Sequence, residues 1–249
     1  TLSVVQAHKQ LFTVVAASAH RREDELLKIA DDFGIKRLAL SGAKPGDKRV
    51  SYTGERGLLN MIHDTDADVV VNGIAGAAGL RSSVAALESG KDLALANKET
   101  MVIAGGLIRE LARKQNKKIL PVDSEHAALF SLLENRNPAD VQTLILTASG
   151  GAFRELPVEQ LSKVTWRDAL AHPTWNMGRK ITIDSASMAN KGLEILEACE
   201  LFGVTEERVE VVIHPQSCIH GMVTTVDGSV YAQMSLPDMR TPIQNALSY

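Results

Sequence analysis

Asp68-Val-Val-Val-Asn-Gly-Ile-Ala-Gly-Ala-Ala-Gly79 is an apolar run, a glycine-rich turn and then, from Ser82 to Ser89, a helical pattern. A near-continuous apolar strand at Asp68–Val71 fits a strand covered on both faces, which means a parallel sheet. Glycines after it let backbone approach a ligand closely, and the helix N-terminus favours anions. The spacing is not G-x-G-x-x-G, so the stretch reads equally well as a tight βα turn. The same rhythm repeats outward. Upstream, an amphipathic helix at Leu2–Phe12 gives way to a β-branched run at Phe12–Ala17 and a polar break at Ser18–Arg22. A helix at Glu23–Phe33 is closed by Gly34, followed by a strand at Arg37–Leu40, a loop at Gly42–Gly46 and a helix at Gly54–His63. Downstream come a strand at Asp92–Ala96, a helix at Ile103–Lys114 and a strand at Lys118–Pro121. Strands alternating with helices indicate βαβ units and a doubly wound sheet.

The pattern changes after Val122. Strands are expected at Thr143–Thr147, Val209–His214, Met222–Val226 and Val230–Met234, the last two joined by the hairpin signal Asp227-Gly228. One good helix, Met188–Phe202, ends at Gly203. The expected fold is α/β: a Rossmann-like domain at 1–122, then an α+β domain at 123–249.

At 249 residues the chain holds one large domain or two small ones. Hydrophobic residues at 45% and charged residues at 23% exclude disorder as the default. A net charge of −3 argues against a nucleic-acid surface. No apolar run approaches the roughly 18 residues of a membrane helix. Cys199 and Cys218 make no disulfide framework, and no secretory signal opens the chain. These features predict a cytosolic protein with no membrane or nucleic-acid partner.

Five further stretches could carry chemistry. Ala96-Asn-Lys-Glu99 stands at a strand end, where open sheets place ligands, or is a helix start with a solvated Lys-Glu pair. In Pro121-Val-Asp-Ser-Glu-His126, Asp123 and Glu125 share one side of an extended chain. Paired carboxylates repel unless a proton or cation lies between them, and oxygen ligation suits Mg²⁺ or Mn²⁺; a surface turn is the alternative. His126 reads as a further ligand or as a solvated helix-start histidine. Thr147-Ala-Ser-Gly-Gly-Ala-Phe-Arg154 offers an anion cradle at Ser149 or a plain Gly-Gly turn. His172-Pro-Thr-Trp-Asn-Met-Gly-Arg-Lys180 reads as a lid carrying Trp175, or as a loop whose Trp packs on the core. Ser185, Ser187, Asn190 and Lys191 crowd a helix start, as a phosphate site or, for the serines, as N-caps. Glu194 follows one turn beyond Asn190, or stands with Glu197 and Glu200 on a wet face. His214-Pro-Gln-Ser217 and Leu236–Pro242 are turn-rich and carry no function by spacing alone.

Taken in order, Asn72–Leu80, Ala96–Glu99, Pro121–His126, Ser149–Glu155, His172–Lys180, Asp184–Glu194, His214–Ser217 and Pro237–Ile243 resemble one family, the 1-deoxy-D-xylulose 5-phosphate reductoisomerases. The resemblance runs over nearly the whole chain. It implies an NADPH-dependent enzyme of isoprenoid precursor synthesis, a homodimer that converts 1-deoxy-D-xylulose 5-phosphate to 2-C-methyl-D-erythritol 4-phosphate. It implies Asp123, Glu125 and Glu194 as ligands of Mg²⁺ or Mn²⁺, with Co²⁺ a third candidate. Lys98, Ser124, Ser149, His172, Ser185, Asn190 and Lys191 become substrate contacts. Ser149, Ser185, Asn190 and Lys191 are expected on the phosphate, and Lys98 beside the metal. Asn97, Glu99 and Gly178 become cofactor contacts, and Trp175 and Met177 part of a lid. The expected location is a bacterial cytoplasm or a plastid.

There are departures. The family's first strand and its G-S-T-G-S-I-G loop have no counterpart before Thr1, and its C-terminal helical domain none after Tyr249. After the second strand stands Ala19-His-Arg-Arg22, a motif that in the family usually ends in Asn, although Arg21 or Arg22 could still meet a 2′-phosphate. Ser41–Pro45 is shorter than the family's insert. The expectation is a fragment that binds NADPH poorly. Two other readings stay open: a catalytically incompetent ligand-binding fragment, and a homoserine-dehydrogenase-like oxidoreductase, which shares Asn-Lys-Glu but not the carboxylate motifs.

Overall fold

The computed structural model describes residues 1–175 and 177–249. Asn176, inside the expected lid, lies outside the described residues. The chain forms two compact units: Thr1–Thr100 with Gly106–Leu120 and Leu247–Tyr249, and Met101–Gly105 with Pro121–Ala246. No helix among the described residues is long and apolar enough to cross a membrane.

The first unit alternates helix and strand in the order α1 (Leu2–Ala7), β1 (Ala16–Ala19), α2 (Glu23–Phe33), β2 (Arg37–Leu40), β3 (Tyr52–Thr53), α3 (Gly54–Asp64), β4 (Val69–Asn72), α4 (Leu80–Glu88), β5 (Asp92–Leu95), α5 (Lys98–Gln115) and β6 (Ile119–Pro121). The strands lie in two three-stranded sheets, ordered β1-β2-β3 and β4-β5-β6. The β1–β2, β2–β3 and β4–β5 pairs are parallel. Acidic Glu23, Asp24 and Glu25 complement the N-terminal dipole of α2. Gly34, at φ +68°, closes that helix in the left-handed region. Its buried Leu26 and Ala30 join Ile35, Leu38, Leu40 and Val50 in one core. The expected helix to Phe12 stops at Ala7, and the next large apolar residue, Leu11, is 67% exposed. The expected polar break starts later than Ser18. Ser18 and Ala19 belong to β1, in register with Ala39 and Leu40.

The second unit holds α6 (Ser124–Leu133), β7 (Val141–Ala148), α7 (Trp166–Ala169), α8 (Arg179–Ala186), α9 (Ala189–Phe202), β8 (Val209–Ile213), β9 (Ile219–Thr225), β10 (Val230–Met234) and α10 (Arg240–Ser248). Its sheet runs β10-β9-β7-β8. β7 and β8 are parallel, while β9 is antiparallel to both β7 and β10. The Asp227-Gly228 turn joins β9 to β10, with Gly228 at φ +83°. Leu129, Val141, Leu144, Leu146, Ala198 and Val223 make the core, with α6 packed on β9 and α9 on β8.

Candidate active site

Asp123 and Glu125 do share a side, but not along an extended chain. Asp123 is the N-cap of α6 and Glu125 lies in its first turn. The sequence hints at a helix start at His126 but not at the extent of the helix, because its apolar residues surround it, with Ala127, Ala128 and Leu129 buried and no stripe to show a period. On α9, Glu194 and Glu197 are buried rather than on a wet face. Oxygens of Asp123, Glu125 and Glu194 lie within 4.8 Å of one another. Three carboxylates and no sulfur form a donor set for a hard divalent cation, so these residues fit Mg²⁺ or Mn²⁺.

Lys191 holds this cluster together. Its Nζ lies 2.7 Å from Glu125 Oε1, pairs with Glu194 and donates to Thr147 O at 2.6 Å. Asn190 Nδ2 donates to Glu194, and Ser124 Oγ to Glu125 Oε2 at 2.6 Å. Burial, and then the Glu194 carboxylate, push Glu125 up to about 7, with Lys191 opposing. Burial works against the Lys191 charge, but Glu125 and Glu194 outweigh it and raise its pKa. His126 is not solvated; its ring is fully buried. Burial would lower its pKa, yet Glu197, then Asp123 and Glu194, carry it up to about 9.

The next group meets at the end of β7. Gly150 and Gly151 take φ of +90° and +74°, and a Cβ on Gly151 would stand 2.2 Å from Ser185 O. Glycine there lets the β7 turn close against the end of α8. Ser149 Oγ lies 2.9 Å from His172 Nε2, and Arg154 Nη1 donates to Ser149 O at 2.9 Å. His172 Nδ1 accepts from the N–H groups of Thr174 and Trp175 at 3.1 and 2.9 Å. That leaves the proton on Nε2, facing Ser149. Burial, then Arg154, lower the His172 pKa. Ser185 and Ser187 do not cap α9. Its N-cap is Met188, at φ +62° and without a side-chain cap bond.

One cavity of about 280 Å³ collects Asp123, Ser124, Glu125, Ser149, Ser185, Asn190, Lys191 and Glu194, together with Trp175 and Met177. His172 borders it through Ser149, and Gly178 is the exposed N-cap of α8, with open space where a Cβ would stand. Ser217 and His220 also line the cavity and were not among the expected site residues. Ser217 sits at φ +50° after a turn that β8 anchors, His214 N donating to Ala148 O at 2.7 Å. That long-range pairing, with Thr174 Oγ1 donating to Pro215 O at 3.5 Å, brings the His-Pro-Gln-Ser turn to the site.

In the first unit, Lys98 and Glu99 open α5, and Asn97 is its N-cap. The Asn97 amide is spent inside the chain: it accepts from Thr100 N at 3.0 Å and donates to Ile74 O and Gly76 O at 2.7 and 3.0 Å. Asn72 Nδ2 donates to Gly79 O and Ser83 Oγ, both at 2.8 Å. Two asparagines thus draw the glycine-rich stretch into a tight βα turn, with open space beside Gly73 and Gly76. Arg22 pairs with Glu25 at 2.9 Å on the surface.

Two family models match the chain: 1-deoxy-D-xylulose 5-phosphate reductoisomerase over residues 1–105, and the C-terminal domain of that enzyme over 119–202. Together they cover more than half of it. A 1-deoxy-D-xylulose 5-phosphate reductoisomerase of Leptospira interrogans is 47% identical over 99% of the chain, and the chloroplastic enzyme of Mentha piperita is 46% identical over all of it. The chain spans 66% and 55% of those relatives' lengths. A solved DOX-P reductoisomerase in complex with NADPH, fosmidomycin and magnesium superposes with a TM-score of 0.92 at 39% identity, over 100% of this chain and 66% of that one. A putative homoserine dehydrogenase from Archaeoglobus fulgidus shares the fold, with a TM-score of 0.54 at 13% identity, over 94% of this chain and 97% of that one.

Proposed function

The chain belongs to the 1-deoxy-D-xylulose 5-phosphate reductoisomerase family, and on that premise we propose that it carries the metal- and sugar-phosphate-binding machinery for converting 1-deoxy-D-xylulose 5-phosphate to 2-C-methyl-D-erythritol 4-phosphate. The observation behind this reading is the single cavity that gathers three carboxylates and four side chains suited to a phosphate. When bound, a divalent cation supplies Lewis acidity to the substrate oxygens and NADPH supplies the hydride. Asp123, Glu125 and Glu194 hold the cation, which is Mg²⁺ or Mn²⁺. Ser149, Ser185, Asn190 and Lys191 hold the phosphate, and His172 orients Ser149 through its Nε2–H. Binding energy gained at the phosphate, away from the reacting carbons, is available for positioning. Lys191 neutralises Glu125 and Glu194 in the chain alone, and turns to the phosphate once those carboxylates have another cation. Ser124 and Lys98 contact the substrate, and Trp175 and Met177 cover it. Glu99, Gly178 and the backbone around Asn97 meet the nicotinamide cofactor. Residues 1–122 are the dinucleotide-binding domain and 123–249 the catalytic domain, in a homodimer of a bacterial cytoplasm or a plastid.

The test is metal-dependent NADPH oxidation by the protein that carries this chain, with 1-deoxy-D-xylulose 5-phosphate as substrate. Glu194→Gln should abolish it. No turnover by the unaltered protein, with Mn²⁺ still bound, would leave a ligand-binding role in place of catalysis.

A further inference from the structure

We propose that His126 and Glu197 are positioning residues for the carboxylate cluster, with the His126 ring clamping the start of α6 to α9. This rests on the reading of Asp123, Glu125 and Glu194 as metal ligands. Two pairs at i,i+3 spacing face each other: Asp123 and His126 at the head of α6, and Glu194 and Glu197 on α9. His126 Nε2 lies 2.9 Å from the backbone oxygen of Glu194. Its Nδ1 lies 3.3 Å from Glu197 Oε2 and 3.5 Å from Asp123 Oδ1. Nε2 is the hydrogen-bonded nitrogen, while Nδ1 stands at ion-pair distance from the two carboxylates. The ring also stacks on Phe202 of α9, with centroids 6.4 Å apart and planes 18° from parallel. Its orientation is thereby set from three sides.

One imidazole therefore bonds to the backbone that carries Glu194 and stands beside the carboxylate of Asp123. Glu197 fixes the imidazole in turn. His126 and Glu197 are 0% and 1% exposed, and neither lines the cavity that Asp123, Glu125 and Glu194 line. The geometry leaves them no route to substrate, so they act through the ligands. Partners of this kind orient metal ligands, and their loss costs about 10–100-fold in metal affinity.

The experiment is Mn²⁺ binding to the chain, read by electron paramagnetic resonance of the free ion. It compares the unaltered chain with Asp123→Asn, His126→Gln, Glu197→Gln and the His126→Gln/Glu197→Gln double variant, with circular dichroism to verify folding. Each single variant at His126 and Glu197 should raise the Kd about 10–100-fold. The double variant should be no weaker than the worse single one, because the two residues act as a unit. A general loss of structure would instead multiply the two losses. Glu197→Gln keeps the side chain's volume and decides the matter alone if His126→Gln does not fold. A folded Glu197→Gln with a Kd within about twofold of the unaltered chain, where the expected change is tenfold or more, would overturn the proposal. So would multiplied losses in the double variant, or a second ion showing coupling to imidazole nitrogen. If Asp123→Asn left Mn²⁺ affinity unchanged, the metal reading of the cluster would fall, and this inference with it.

Discussion

Replacing Lys191 with Met should weaken the chain and, at the same time, make it a better metal binder. The Lys191 and Glu194 side chains are 7% and 2% exposed, so the pair is shielded from water on both sides. Removing one partner of such a buried pair costs about 3–5 kcal/mol, because the other charge is left uncompensated. Glu125 limits the damage. It stands at about 7 even with Lys191 beside it, so without the ammonium it takes up a proton near neutral pH. Protonation of Glu125 removes one of the two charges left behind, which places the expected loss near the lower end, about 3 kcal/mol. Against a typical domain stability of about 5–15 kcal/mol, the variant should still fold. Saturating Mn²⁺ should then restore more stability to Lys191→Met than it adds to the unaltered chain, because the ion no longer competes with an ammonium. Inorganic phosphate should bind the variant more weakly. Urea titrations in EDTA and in Mn²⁺, followed by circular dichroism, measure all but the last, and calorimetry measures that. A loss in EDTA below about 1 kcal/mol, the scale of an exposed pair, or a smaller Mn²⁺ gain in the variant, would refute the reasoning.

Three more expectations follow from the geometry. Gly151→Ala should cost at least about 1–2 kcal/mol for the left-handed backbone alone, and more for the approach to Ser185 O; a urea midpoint unchanged from the parent would contradict it. The His172 pKa is lowered in the fold, so the unfolded chain binds more protons as pH falls below about 6.5, and the turn that His172 caps should lose stability over that range. Ring-proton NMR should place the His172 titration below the ordinary histidine value, and a raised value would overturn the Nδ1 acceptor assignment. In a Trp166→Phe background, Trp175 fluorescence should respond to a phosphonate analogue, since Trp175 lines the cavity; a silent signal at saturation would mean it does not meet the ligand.

Much of this architecture was readable where one face of an element is wet. The Glu23–Phe33 helix and the Val230–Met234 strand lie where periodicity and turn residues put them. Elements buried on several faces were not readable. Helix α6 shows no stripe. Helix α8 is hidden for a different reason: it carries Ile181, Thr182 and Ile183, β-branched residues of low helix propensity, with Thr182 buried and Ile183 exposed. The side shared by Asp123 and Glu125 was foreseen, but from an extended chain instead of a helix start. Ser217 and His220 reach the cavity only through the pairing of β7 with β8 and β9, to which local spacing is blind. His126 looked solvated because its neighbours Glu194 and Glu197 are distant in sequence.

A divalent ion held by Asp123, Glu125 and Glu194 is the feature on which the proposed chemistry depends. Crystals of the chain soaked in Mn²⁺ and measured at the manganese edge should show one dominant anomalous peak. It should lie about 2.0–2.6 Å from oxygens of Asp123, Glu125 and Glu194. A dominant peak elsewhere, or none at these carboxylates in well-ordered crystals, would contradict it.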